Sequence, residues 1–459
     1  MYKVNFNNPI HIHFIGIGGI SMSGLAEVLL EEGFTISGSD SKESPLTQKL
    51  ASLGAKIVYP QKAENITSGI DLIVYTAAIN EENPELMAAR ASKKPILTRA
   101  ELLGQIMANY ENSVAVSGTH GKTTTTSMLS HILISAEKDP TISVGGILKS
   151  IGGNIRVGKS DTFLTEACEY TNSFLSFYPK YNIILNVDAD HLDFFKDIND
   201  IRHSFHRFAL QTGDKGCLII NSEIPDLNEI TDGANAEVVT YGLDEKAMYY
   251  AKDITFDENG FGHFSAKCGS KDLGKVSLSV PGIHNVSNAM AAIALSDKMG
   301  LSFDAVIKGL KEFTGTDRRF EHKGSFNGVE VIDDYAHHPT EIKATLTAAK
   351  KVPHEKLVVA FQPHTYSRTK ALLNDFANAL SAADVVVLAD IYAAREKNTY
   401  GISSEDLKKE LEKLGTEVYY YPTFEEIENF LKKNCKKNYL LITMGAGDIV
   451  KIGENLVEG

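Results

Sequence analysis

The chain contains no tryptophan, so its intrinsic fluorescence comes from tyrosine. Cysteine is nearly as scarce. Cys168, Cys217, Cys268 and Cys435 are the only four, and no two stand in CxxC spacing. That argues against a disulfide framework and against a structural zinc site. No apolar run approaches the ~18 residues that a membrane-crossing helix needs. The N-terminus lacks the charged segment and unbroken apolar stretch of a secretory leader, so a cytoplasmic protein without membrane insertion is expected. Positive charge is also in deficit: 46 Lys and Arg face 59 Asp and Glu, a net charge of −13. A general nucleic-acid binder is usually basic, so that class is set aside. An acidic chain can still hold an anionic nucleotide where its few cations converge.

What the chain does have is an ample core and a repeated α/β pattern. Its composition is 43% hydrophobic and 23% charged, as in globular proteins, and 459 residues suggest three domains at about 150 residues each. Short apolar runs alternate with helical stretches in the first third. His11-Ile12-His13-Phe14-Ile15, Thr35 to Asp40 and Asp71 to Tyr75 read as strands, and Ser23 to Leu30 as a helix. Such alternation implies a parallel sheet. The middle third has strands at Thr162–Thr165 and Asn182–Val187, a hairpin signal at Gly152-Gly153-Asn154, and alternating polarity over 235–280 that suggests antiparallel strands at one edge. Buried-strand runs return at Lys356–Phe361, Asp384–Leu388 and Tyr439–Thr443. The expected architecture is α/β in three domains. Residues 1–111 form a Rossmann-like unit, 112–320 a P-loop ATPase-like unit with a mixed sheet, and 321–459 a second Rossmann-like unit.

The most informative stretch is Ser117-Gly118-Thr119-His120-Gly121-Lys122-Thr123, between the apolar run Val114-Ala115-Val116 and a helix that continues through Thr124. A strand, a glycine loop and a helix in this order hold nucleotide phosphates: the glycines turn N–H groups inward, and the helix N-terminus adds positive potential. Lys122 is expected on the β- and γ-phosphates and the Thr123 hydroxyl on Mg²⁺. The loop is shorter than the common pattern, since Val116 stands where a first glycine belongs.

A second glycine loop, Gly16-Ile17-Gly18-Gly19-Ile20-Ser21, follows the first strand, with Ser21 in place of the last glycine of G-x-G-x-x-G. Asp40 closes the next strand at the distance where an acid reads ribose hydroxyls. Two phosphate loops favour an ATP enzyme with a nucleotide-linked substrate over a nicotinamide oxidoreductase. Glu166 and His191 each follow a strand of the middle third, so both could converge with Thr123 beyond the carboxyl edge of one sheet, with Glu169 able to stand in for Glu166.

Gly118 to Thr123, Glu166-Ala167-Cys168-Glu169, Asp190-His191-Leu192-Asp193 and His284-Asn285-Val286-Ser287-Asn288-Ala289, in this order, resemble the Mur ligase family. The loop at Gly16–Gly19 with Ser21-Met22-Ser23-Gly24 is similar to the branch that binds a UDP-muramyl substrate. Asp333 to Glu341 and Gln362 to Thr369 resemble the branch that joins L-alanine to UDP-N-acetylmuramate. Several relatives carry a modified lysine after the Asp-His motif. Asp197 to Asp214 contains no lysine here, as in the alanine-adding branch. The resemblance implies ATP-dependent amide formation through an acyl phosphate, with two Mg²⁺ ions.

The resemblance also implies roles. Gly118, Thr119, His120, Gly121, Lys122, Thr123 and Thr124 would hold ATP phosphates, and His284, Asn285 and Asn288 the adenine. Arg319 and Asp334 would reach the nucleotide across the second boundary. Thr123, Glu166 and His191 would hold metal. Gly16, Gly18, Gly19 and Asp40 would face UDP. Tyr335, His337, His364 and Arg368 would hold the amino acid, Arg368 gripping its carboxylate through a bidentate fork. Lys122, His191, Arg319 and His337 would be catalytic, His337 as the base that frees the amine. Arg318 and Arg319 are expected to point apart, so that one reaches the phosphates, and Asp333 to satisfy backbone N–H groups; His338 and His322 read equally as surface or helix-capping groups and as ligands. A muramyl-tripeptide recycling ligase, a nicotinamide oxidoreductase and a nucleotide-binding scaffold without turnover are the alternatives.

Overall fold

The computed structural model describes residues 2–458 other than Ala77 and Arg395. Its strands build three sheets. The first holds β1 (His11–Ile15), β2 (Thr35–Ser39), β3 (Lys56–Val58), β4 (Leu72–Tyr75) and β5 (Ile96–Thr98) in the order β3-β2-β1-β4-β5. Every pairing is parallel. β1 lies at the centre, where Ile12, Phe14 and Ile15 are sealed from solvent, as a strand covered on both faces requires. The helix after β1 runs Ile20–Glu31, three residues earlier than its apolar pattern suggests, because extended Gly19 caps it directly.

The second sheet has ten strands. They are β6 (Asn112–Ser117), β7 (Thr141–Leu148), β8 (Gly153–Arg156), β9 (Thr162–Glu166), β10 (Tyr181–Ile184), β11 (Cys217–Asn221), β12 (Glu237–Gly242), β13 (Tyr249–Phe256), β14 (Phe261–Cys268) and β15 (Lys271–Pro281). Their order is β15-β14-β13-β12-β11-β10-β6-β9-β7-β8. β13, β14 and β15 form the antiparallel edge, and β7 and β8 the hairpin. β12 departs from the expected pattern: it pairs parallel with β11 and β13. It carries the fully buried Val239 and Tyr241, which pack in one cluster with the Ala-rich helix Ile283–Lys298.

The third sheet is β16 (Glu321–Phe326), β17 (Val329–Asp334), β18 (Lys356–Phe361), β19 (Val385–Leu388), β20 (Glu417–Tyr420) and β21 (Tyr439–Met444), ordered β16-β17-β21-β18-β19-β20. Only β16 is antiparallel.

The cores are distributed unevenly. One apolar cluster joins Leu102, Leu103 and Ile106 of the helix Arg99–Met107 to Phe163, Ala167, Phe174 and Phe177 beneath the second sheet. Two glycines make this seam tight. A Cβ on Gly104 would stand 2.0 Å from the Ser176 carbonyl oxygen, and one on Gly24 would stand 2.7 Å from Ile155 Cδ1. The two clusters of the third sheet contain only residues from 320 onward.

Candidate active site

The phosphate loop leaves β6 at Ser117 and enters the helix Lys122–Ser135 through Gly121. Gly118 and Gly121 both have positive φ, +137° and +82°. Side chains there would also collide, with Leu185 Cβ at 2.9 Å and Asn288 Oδ1 at 2.7 Å, so the loop admits only glycine at both places. Asn186 fixes the loop tip: its Oδ1 accepts from His120 N at 2.8 Å and its Nδ2 donates to His120 O at 3.0 Å. Lys122 Nζ donates to Thr119 O and to Glu169 Oε2, both at 3.0 Å. Burial disfavours its charge, but Glu169 outweighs this and raises the ammonium's pKa.

Thr123 Oγ1 donates to Glu166 Oε2 at 3.2 Å, and Gly145 N donates to Glu166 Oε1 at 2.6 Å. Burial pushes the Glu166 pKa upward. These two side chains offer hard oxygen donors at the helix start, the chemistry Mg²⁺ prefers. His191 borders Glu169, the partner of Lys122: its Nε2 is 3.8 Å from Asp190 Oδ2 and 4.0 Å from Glu169 Oε1, and its ring lies 4.5 Å from that of Tyr170. Among the described residues no three His, Cys, Asp or Glu side chains gather as a metal cluster.

A cavity of about 220 Å³ opens beside the loop, lined by His120, Gly121, Thr124, His284, Asn285, Asn288, Arg319, Asp334 and Glu341. Asn285 Nδ2 donates to Pro281 O, and Asn288 Nδ2 to Asn285 Oδ1. Burial and the nearby Arg319 charge lower His284 to about 4, so its ring is neutral. Asp334 takes the part expected of Asp333: it accepts from Phe320 N and Ala336 N, each at 2.8 Å, and burial raises it to about 6. Asp333 instead binds Arg318 Nε at 3.1 Å and Thr443 Oγ1 at 2.6 Å. Arg318 and Arg319 thus part company, although both pack near the Tyr335 ring, at 4.9 and 5.1 Å.

Glu341 is the residue that sequence reasoning passed over. It lies in the first turn of the helix Pro339–Ala349, at the end of the Asp333–Glu341 motif. Its carboxylate meets His120 Nδ1 at 3.3 Å, Arg319 Nη1 at 3.7 Å and His337 Nδ1 at 3.3 Å. Burial works to raise its pKa, but these partners hold it well below the usual carboxylate range. Burial lowers His120 in turn, yet Asp188 and Glu341 lift it to about 9, which makes it an imidazolium at neutral pH. His338 caps the same helix, its Nδ1 accepting from Thr340 N and its Nε2 donating to Ala189 O across the domain boundary.

A second cavity, about 550 Å³, lies between Ala189–Asp193 and the helix Tyr366–Ala371, lined also by Tyr170, His364, Glu396 and Tyr400. Tyr335 and His337 lie outside its lining, with the His337 ring 5.7 Å from that of His364. Arg368 is not a free fork. Its Nε and Nη2 both donate to Asp190 Oδ1, at 3.0 and 2.9 Å, and Nη1 is 3.2 Å from His364 Nδ1. Burial lowers His337 to about 4, and burial with the Arg368 charge does the same to His364. An imidazole that weak holds a proton poorly, which works against His337 as the base.

In the first sheet, Gly16 has φ +84° and its N–H donates to Ser39 O at 2.9 Å. Asp40 turns inward: its Oδ2 accepts from Gly18 N at 2.7 Å and its Oδ1 from Ser41 N at 2.7 Å. A Cβ on Gly18 would sit 2.8 Å from that carboxylate, whereas one on Gly19 has room.

Three family models match the chain: a Mur ligase family catalytic domain over residues 11–111, a Mur ligase middle domain over 116–296 and a Mur ligase glutamate ligase domain over 318–447. The chain belongs to the Mur ligase family. It is 64% identical to the UDP-N-acetylmuramate–L-alanine ligase of Agathobacter rectalis over the whole of both chains. It is 52% identical to the ligase of the same name from Clostridium acetobutylicum, over 96% of each. The crystal structure of the Thermotoga maritima UDP-N-acetylmuramate–alanine ligase superimposes with a TM-score of 0.78 at 33% identity, covering 98% of both chains. A murein peptide ligase from Psychrobacter arcticus shares the fold at 24% identity, with a TM-score of 0.70 over 98% of both chains.

Proposed function

We propose that this protein ligates L-alanine to UDP-N-acetylmuramate, forming ADP and phosphate, in the synthesis of peptidoglycan precursors. It is an ATP-dependent, amide-forming ligase, and we read its reaction as cytoplasmic, where ATP and nucleotide sugars are found. One observation carries the reading. A chain of contacts runs from the phosphate loop through His120, Glu341 and His337, by ion pairs, and then by ring packing to His364 and on to Arg368, linking a nucleotide cavity to a second cavity across the domain boundary. Full-length likeness to ligases of that name points to the same chemistry.

A carboxylate is a poor electrophile at neutral pH. Its oxygen attacks the γ-phosphorus of ATP, the bond to the β-phosphate oxygen breaks, and ADP leaves. Lys122, the His120 imidazolium and Arg319 offset the charge that gathers during transfer. Thr123 and Glu166 would hold Mg²⁺ there, with His191 the remaining donor for a second ion, and the metal would supply further charge neutralisation. The amine of L-alanine then attacks the acyl carbon, a tetrahedral intermediate forms, and the C–O bond to phosphate breaks. The amine sheds a proton as the C–N bond forms; His337 and His364 are neutral and can accept a hydrogen bond from it, but with pKa values near 4 they are weak bases, so the proton passes on to solvent. For Arg368 to grip the alanine carboxylate it must loosen from Asp190.

The test is ADP release with ATP and Mg²⁺, adding UDP-N-acetylmuramate, L-alanine or muramyl tripeptide. Release that needs UDP-N-acetylmuramate and L-alanine together, reduced about 100-fold or more in Lys122→Ala, is the expected result. Release only with tripeptide would move the chain to the recycling reaction.

A further inference from the structure

The anion-binding groups of this site already hold internal carboxylates. Lys122 has Glu169, Arg319 has Glu341, Arg368 has Asp190, and the Gly18 N–H has Asp40. Arg99 is different. It begins the helix after β5, at the carboxyl edge of the first sheet, two strands from the glycine loop that follows β1. Its Nη1 donates to Ser21 Oγ at 3.1 Å, in the first turn of the helix after that loop. Among the described residues it forms no ion pair, and the ionisable side chain that acts on its charge is Cys168, two residues past Glu166. Its surroundings are half-buried, and desolvation lowers its pKa. A desolvated guanidinium without a counter-ion is unfavourable, so an anionic ligand would relieve it.

The position is also built rigidly. Arg99 and Ser21 lie on the two helices that meet the central domain at Gly104 and Gly24, where backbone and side chain approach too closely for any larger residue. The guanidinium is held at Ser21, in the first turn of the helix that follows the Gly16–Gly19 loop, and its charge is felt by Cys168 of the central domain.

We infer that Arg99 binds an anionic group of the UDP-linked substrate and, with Ser21 fixing its orientation, positions that substrate between the glycine loop and the phosphate loop. The anion is the diphosphate or the carboxylate to be activated, both of which suit a planar fork. This inference rests on the reading of the first domain as the site of the UDP-linked substrate.

Calorimetric binding of UDP, UDP-N-acetylglucosamine and UDP-N-acetylmuramate to wild type, Arg99→Ala, Arg99→Lys and Arg99→Gln tests it, with an ATP analogue as control. Loss of a charged hydrogen-bonding partner should weaken binding by about 10- to 100-fold in the Ala and Gln variants, with partial recovery in Lys, while the ATP analogue binds as before. Weakening of all three ligands assigns the diphosphate, and weakening of UDP-N-acetylmuramate alone assigns the carboxylate. Unchanged affinity for all three in Arg99→Ala overturns the inference. A wild-type protein that binds none of them overturns the underlying reading instead. A thermal midpoint near that of wild type separates lost binding from lost folding, and Ser21→Ala should raise KM for the UDP-linked substrate with little change in kcat.

Discussion

Arg368 and Asp190 are 178 residues apart in sequence and meet through two hydrogen bonds to one carboxylate oxygen, at 2.9 and 3.0 Å. The pair ties the third domain to the central one. Burial would raise the Asp190 pKa, but Arg368 and the neighbouring imidazoles hold it well below the usual carboxylate range. Its contribution is therefore present above about pH 4 and is lost as pH falls below that. Asp190→Asn and Arg368→Gln should each loosen the contact, at a cost of about 3 kcal/mol or more for an orphaned buried charge. The double variant should cost less than the sum. Urea midpoints at pH 7 check the coupling, and additive losses would show that the pair does not act as one.

His120 works in the opposite pH direction. Its pKa is raised in the folded protein to about 9, against about 6.5 when free. The stabilisation is complete below about pH 6.5 and fades as pH rises through about 9, amounting to roughly 3 kcal/mol across that window. Thermal midpoints measured from pH 6 to 9.5 should fall more steeply in wild type than in His120→Asn. Parallel curves would contradict this.

Gly104→Ala should destabilise the seam between the first two domains by about 1–3 kcal/mol, since the new methyl meets the Ser176 carbonyl oxygen at 2.0 Å. Gly153→Ala is the control, because nothing lies within 4 Å of its added carbon. Denaturant unfolding of both variants distinguishes the seam from a generic loss of glycine.

Thr123→Val and Glu166→Gln should raise the Mg²⁺ concentration for half-maximal ADP release by about 10-fold or more. Binding of the UDP-linked substrate should not change. A magnesium titration of initial rate, paired with calorimetry, reads both.

His337 is neutral from pH 6 to 9 with a pKa of about 4. Replacing it by Asn should lower kcat without altering the shape of the kcat–pH profile in that range. Loss of an ionisation near neutrality in His337→Asn would restore it as the base.

Much of this was legible in the chain. β1, β6 and β18 are buried on both faces, so they read as apolar runs, and Gly118 and Gly121 declare the phosphate loop because positive φ excludes other residues there. β12 was harder, since its alternation of Glu237, Thr240 and Val239 looks like an exposed edge until the helix Ile283–Lys298 covers it. Glu341 was hidden for a different reason. A glutamate in a first helical turn is ordinarily explained by the helix dipole, and its partners, the cations His120 and Arg319 and the neutral His337, come from two domains. Arg368 showed its fork but not the carboxylate waiting for it, and the burial and Arg368 charge that lower the His337 pKa are not visible in the sequence.

The shared apolar seam has a further consequence. One apolar cluster runs through the domains that carry the glycine loop and the phosphate loop, so on the proposed function an acid held at one and a phosphoryl group held at the other would meet at reduced entropic cost. The third domain keeps a separate core and touches that body through polar contacts, which dissolve and reform far more readily. On the proposed function, the freedom left in the molecule would fall to the domain that brings the amine.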